Sequence, residues 1–335
     1  MKTITQRNAA IDLAKYIASI FIIGIHTSFF SDINQTLAFV FQNIIFRTAV
    51  PFFAVCTGFF LLPRLCDTKK RNRSTFFGHE KKLIIMYAVW SGLYLLYSIP
   101  QWLRTGWFSA AAFLDYFVAA LQNGSHYHLW YLLGMIYALP IAYLILPYLT
   151  RRKALISSGV LYLIWLLFYS YRWLLPKSIG QIFGIMDYSF AASAAVFLLL
   201  PLMLLGWAMN GVPDPKRRNS RLGLLFSLGL LTIEAFFINN KGYDKCSYLI
   251  FSYPTACFLF QAIKGIRLSA EKMADLGKIS MIVYCVHPMI VEVLVPMGQG
   301  SLAVFLETTL IATLIGLGYS KLKRVYYRRR KSCSN

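Results

Sequence analysis

Apolar stretches long enough to cross a bilayer recur from one end of this 335-residue chain to the other. A spanning helix needs about 20 such residues, because the hydrocarbon core is ~30 Å thick and a helix rises ~1.5 Å per residue. Roughly ten runs meet that length. They cover residues 11–31, 37–62, 82–100, 127–149, 154–171, 190–210, 222–239, 247–264, 279–297 and 302–322. Only 14% of the residues are charged and 58% are hydrophobic, so one soluble core cannot hide the apolar surface. The chain is expected to be all-α, a polytopic membrane protein forming one membrane domain over residues 1–335. No cleavable leader is expected. The polar start MKTITQRNAAID precedes a run that is too long, lacks a small-residue cleavage site, and carries Asp12, Lys15 and His26.

The charge is lopsided: 34 Lys and Arg face 13 Asp and Glu, a formal +21. A soluble nucleic-acid binder would bring an ordinary charged fraction, and a disordered basic protein would lack the apolar runs. Nucleic acid is therefore not an expected partner. With the N-terminus inside, the inner segments are 1–15, 63–82, 150–153, 211–221, 264–278 and 321–335. They hold 28 of the 34 basic residues. The outer segments hold Arg104, Arg172, Lys177, Lys241 and Lys245. That asymmetry predicts both termini in the cytoplasm and an even number of spans, with the lipid bilayer as partner. The tail YYRRRKS reads as a topology signal in contact with headgroups. Cysteines 56, 66, 246, 257, 285 and 333 show neither metal-ligand nor disulfide-framework spacing and read as packing residues. The longest loops are predicted at 63–82, inside and basic, and at 100–126, outside and aromatic. Trp102 to Trp107 are placed at the interface.

Charges inside spans are costly, so each needs a partner, a cavity or a function. In the first span, Lys15 and His26 are eleven residues apart, which puts them on one face about 16 Å apart. Ala18, Ser19 and Ile22 share that stripe, and Asp12 lies one turn from Lys15. His26 has no local partner, and a buried histidine in lipid favours a functional role. Arg47 lies near the midplane of the second span, where a guanidinium must face the interior. Pro51 frees a backbone carbonyl beside it. His126 and His128 bracket an aromatic at the outer end of the fourth span. Their H-x-H spacing lacks a third ligand for zinc, so no metal is expected. His287 precedes Pro288, which pushes its backbone away from helix. Glu292 lies five residues on, ~140° around the helix from His287. Glu234 and Glu307 also fall in outer halves of spans, where each can pair with an outer Lys or His.

Three segments carry a resemblance: D-x-x-K-x10-H (Asp12, Lys15, His26), R-x-x-V-P-F-F (Arg47 to Phe53) and Thr57-Gly58-Phe59. With H-L-W-Y (His128 to Tyr131) and Y-C-V-H-P (Tyr284 to Pro288), they make the chain similar to the acyltransferase-3 family, in order and over nearly its whole length. It looks most like the short O-acetyltransferase type, such as the enzyme acting on enterobacterial common antigen. It is also similar to the membrane half of vancomycin-resistance serine racemases, without their racemase half. Where family members show Ser, this chain has Cys56-Thr57, and Thr57 keeps the hydroxyl.

The resemblance implies a membrane acyltransferase of about ten helices. It would take an acyl group, usually acetyl, from cytosolic acetyl-CoA or another acyl-CoA to a hydroxyl of a glycan or lipid-linked sugar. Carried over by motif, Lys15 and Arg47 would hold the donor and His26 would be the catalytic histidine. His26 would act as general base or carry the acyl group itself. Arg47 would stabilise the thioester oxyanion. His128, Trp130, His287 and Glu292 are the candidate substrate-binding residues. A transporter or exporter of a glycan or small polar substrate is the rival class, since buried Arg and His also suit a substrate pathway. A non-catalytic scaffold ranks third.

Overall fold

A computed structural model describes residues 8–67, 70–213, 215–241, 247–269, 273 and 275–332. The described chain is almost wholly helical. Its one strand pairing joins Cys66–Asp67 to Lys70–Arg71, antiparallel. The helices are α1 Ala9–His26, α2 Gln35–Phe39, α3 Ala49–Phe60, α4 Leu62–Leu65, α5 Arg73–Thr105, α6 Ala110–Gln122, α7 Trp130–Ile145 and α8 Arg151–Phe168. Next come α9 Gly180–Tyr188, α10 Phe190–Ala194, α11 Leu200–Met209, α12 Arg217–Asn240, α13 Ser252–Lys264, α14 Leu276–Leu294 and α15 Ser301–Ser332. Eight helical stretches among the described residues are long and apolar enough to cross a membrane.

Two of the expected runs fall short of that criterion. Run 154–171 is α8, of 18 residues, whose first turn is Arg151-Arg152-Lys153. Run 247–264 becomes helical only at Ser252, leaving the 13 residues of α13. Both predicted long loops shrink as well. The inner loop ends where Asn72 caps α5, its side chain accepting from the Thr75 amide at 3.0 Å. The outer one is a helical hairpin. α5 runs through Pro100 to Thr105, turns at Gly106 with φ 74°, and resumes at α6 behind the Ser109 cap. Trp107 is exposed there. Cys246 and Cys333 lie outside the described residues.

The chain divides into two compact units, Met1–Phe53 with Asp214–Asn335, and Ala54–Pro213. In the first unit α14 packs on α1 and α15, and α12 on α13. Side chains from distant segments cap its helix ends. The Glu234 carboxylate accepts from the amides of Ile250 (2.7 Å) and Phe251 (3.0 Å), at the start of α13. Asp32 accepts from the Ser301 amide at 3.0 Å and from its hydroxyl, at the start of α15. Glu234, expected to pair with a Lys or His, also satisfies orphan helix amides.

In the second unit α3 and α11 meet through glycines. A Cβ on Gly58 would overlap the Met203 carbonyl, and one on Gly206 the Val55 carbonyl. Small residues let membrane helices approach this closely, which strengthens dispersion contacts that lipid cannot match.

Candidate active site

α1 begins at Asn8, whose side chain accepts from the amides of Ala10 and Ile11 and donates to the Lys264 carbonyl. The predicted stripe holds. Ala18, Ser19 and Ile22 are buried, with Lys15 and His26 half-buried on the same face. The carbonyl of Lys15 accepts from Ser280 Oγ at 2.8 Å, and Tyr16 OH meets Thr313 Oγ1 at 2.8 Å. At Gly277 a Cβ would come within 2.8 Å of Asp12 Oδ1. Helices α14 and α15 are thus registered on α1 along its length.

His26 ends α1, and the turn behind it is strained. Ser28 and Phe30 have φ of 50° and 64°, a region costly for any side chain and most of all for a ring. Aromatic packing holds the turn in place. The Phe29 ring meets Phe41, Phe46 and Phe305 at centroid distances of 5.2, 5.5 and 4.6 Å. Gln42 Nε2 donates to the Phe29 carbonyl at 3.0 Å.

Against His26 lies His287. Their rings stack with centroids 5.3 Å apart and planes 26° apart. His287 is fully buried on α14. Its Nδ1 lies 2.8 Å from the Tyr284 carbonyl and 3.2 Å from that of Val283. Carbonyl oxygens only accept, so Nδ1 carries the proton and Nε2 the lone pair of the neutral ring. Here the expectation about Pro288 is corrected: α14 continues through His287 and Pro288 to Leu294. Pro288 cannot donate to the Tyr284 carbonyl four residues back, and the His287 side chain supplies that donor instead.

Arg47 sits where the helical pitch changes twice. Val40–Ile45 is a π-helical turn, Phe46–Thr48 is a 3-10 turn, and α3 follows. The 3-10 turn packs on α1, and Phe46 lies so close to Gly24 that a Cβ there would overlap its ring. This sets the Arg47 turn beside the last turn of α1. Arg47 is half-buried, and its buried Nε makes no hydrogen bond among the described residues.

His126 and His128 form a cluster in the second unit. Nδ1 of His126 and Nδ1 of His128 lie 3.3 Å apart, one donating to the other. Tyr94, fully buried on α5, stacks on His126 at 4.2 Å and meets His128 edge-on at 5.1 Å. The Ser125 amide donates to Tyr87 OH, and Ser125 Oγ meets Ser91 Oγ. Trp130 packs on Phe190 at 5.2 Å. Glu292 is half-buried on α14. Of the candidate residues, the structure brings His26 and His287 together. Tyr94 was missed, because one more tyrosine in an aromatic run carries no mark of its own.

A family model described as an acyltransferase domain matches residues 8–319. The chain belongs to the acyltransferase-3 family. Its apolar helices are of the length and composition that a membrane protein needs. Its relatives include two amino-acid racemases of Enterococcus faecalis. One is 28% identical over 279 residues, covering 79% of this chain and 37% of the relative. The other is 26% identical over 341 residues, covering 95% and 47%. A serine/alanine racemase of Enterococcus gallinarum is 24% identical over 294 residues, covering 84% and 41%. The acyltransferase-3 chain thus spans less than half the length of these curated relatives. No solved structure matches it.

Proposed function

We propose that this chain is a membrane-embedded O-acyltransferase of a bacterial plasma membrane. It moves an acyl group, acetyl in the first instance, from cytosolic acyl-CoA to a hydroxyl of a cell-surface or lipid-linked glycan. The observation that carries the reading is the stack of His26 on His287 in a chain of this family. His26 takes the acceptor hydroxyl proton as the oxygen attacks the thioester carbonyl. The C–O bond forms, the C–S bond breaks, and His26 returns the proton to the departing CoA thiolate. Arg47 supports this chemistry with its buried Nε–H, a donor that a developing oxyanion would accept from. Lys15, with Arg47, supplies positive charge toward the donor's phosphates. Glu292, on the helix that carries His287, serves the acceptor.

Two measurements test the reading. Membranes carrying the protein release free CoA from acetyl-CoA, and His26→Ala at equal expression does not. Cells lacking the gene lose an acetyl increment from one glycan or lipid by mass spectrometry. Labelled acetyl trapped on His26 without acceptor selects a covalent acyl-histidine route over direct transfer. The second reading is a carrier of a small polar substrate, and the relatives' names suggest an amino acid as that substrate. That carrier would take up labelled serine or alanine and leave acetyl-CoA intact.

A further inference from the structure

In α14 a proline and a histidine are adjacent, and the two solve one problem together. Pro288 has no N–H, so the Tyr284 carbonyl loses its helical donor inside an apolar environment, where an unmade hydrogen bond is expensive. His287 Nδ1–H takes that carbonyl at 2.8 Å. Ring orientation and tautomer are set in the same stroke, because Nδ1 is committed as the donor. The ring so fixed is the one stacked on His26.

We propose that His287, fixed by the carbonyl that Pro288 leaves without its donor, is the positioning residue for His26. This rests on the reading of His26 as the catalytic base. His26 ends its helix and is followed by a strained turn, and the face of His287 supports its imidazole laterally. When His26 takes the acceptor proton, the pair becomes an imidazolium lying on a neutral aromatic ring. That is an attractive cation–π arrangement, stronger in the charged state than before proton transfer. The contribution therefore falls on turnover rather than on donor binding. Pro288 acts one step further back. Any other residue there restores an N–H that competes with His287 for the Tyr284 carbonyl and loosens the ring.

The test is steady-state release of CoA from acetyl-CoA by membranes carrying each variant, matched for folded protein by detergent gel filtration. His287→Ala is expected to lower kcat about 100-fold with KM for acetyl-CoA unchanged, the scale of losing a catalytic group's alignment. Pro288→Ala is expected to lower kcat about 10-fold, again without a KM change. His287→Phe keeps a ring to stack but has no Nδ1–H. It recovers part of the loss of His287→Ala, and Pro288→Ala added to it costs nothing more. Wild-type kcat in folded His287→Ala and Pro288→Ala, with His26→Ala inactive, overturns the proposal and leaves the catalytic reading standing. So does a loss that appears in KM alone. Full turnover in His26→Ala overturns the catalytic reading, and the proposal with it.

Discussion

Arg47 combines a delocalised cation with a backbone that leaves it little freedom. The π turn before it, the 3-10 turn that contains it and Pro51 behind it aim one side chain in a way that a regular helix would not. Such irregular pitch often accompanies function. Removing the guanidinium with Arg47→Gln is expected to lower kcat for CoA release by about 100-fold or more, the size of a lost oxyanion donor. Arg47→Lys keeps the charge but not the planar donor fork, and is expected to recover less than about a tenth of the activity. Rates at saturating acetyl-CoA, with expression matched, decide both. Arg47, Lys15 and His26 were legible in the sequence because ionisable groups inside apolar runs are conspicuous. The partner of His26 was not, because His287 lies at the other end of the chain and stacking leaves no trace in local pattern.

Helices α3 and α11 show how an element can depend on what it lacks. Gly58 and Gly206 each face a backbone carbonyl, so an added methyl must push two helices apart. Gly58→Ala is expected to destabilise the protein by about 1–3 kcal/mol, the usual range for overpacking. Gly92 on α5 has nothing within 4 Å of a Cβ. Gly92→Ala is expected to stabilise its helix by roughly 0.5–1 kcal/mol through lower backbone entropy in the unfolded state. Thermal unfolding in detergent separates the two variants. The N-terminus of α15 offers a pH test. Hydrogen bonds from the Ser301 hydroxyl and amide hold the Asp32 carboxyl below its usual 3.8. Its folded pKa is depressed, so the cap contributes fully above that ordinary value and is lost as pH falls through the lowered one. Asp32→Asn is expected to flatten the acid limb of the stability–pH curve there. Most spanning helices were legible from run length, whereas the helix starts at Asn72 and Ser109 fell inside the predicted loops. The fate of Pro288 was not legible, because a proline breaks a helix only if nothing else takes the freed carbonyl.

Across the whole molecule, 28 of the 34 basic residues lie in segments that alternate with the outer ones. The charge rule predicts that a reporter fused after residue 332 is active only as a cytoplasmic fusion, and that one inserted at Gly106 is active only outside. Alkaline phosphatase and fluorescent-protein fusions check this, and signals of the opposite sense at both sites would reverse the orientation. Composition and run length were enough to determine an all-α membrane protein, because a bilayer accepts few structures and advertises its demands as long apolar runs. Motif order sufficed for the family, because those residues stand in sequence where any member carries them. Tertiary structure alone decided that His26 faces His287, that Tyr94 joins His126 and His128, and that Glu234 and Asp32 cap helix starts. Each of those contacts joins residues remote in the chain. What selects them is the geometry of packed helices and the need to satisfy every buried polar group, and neither acts on neighbours in sequence.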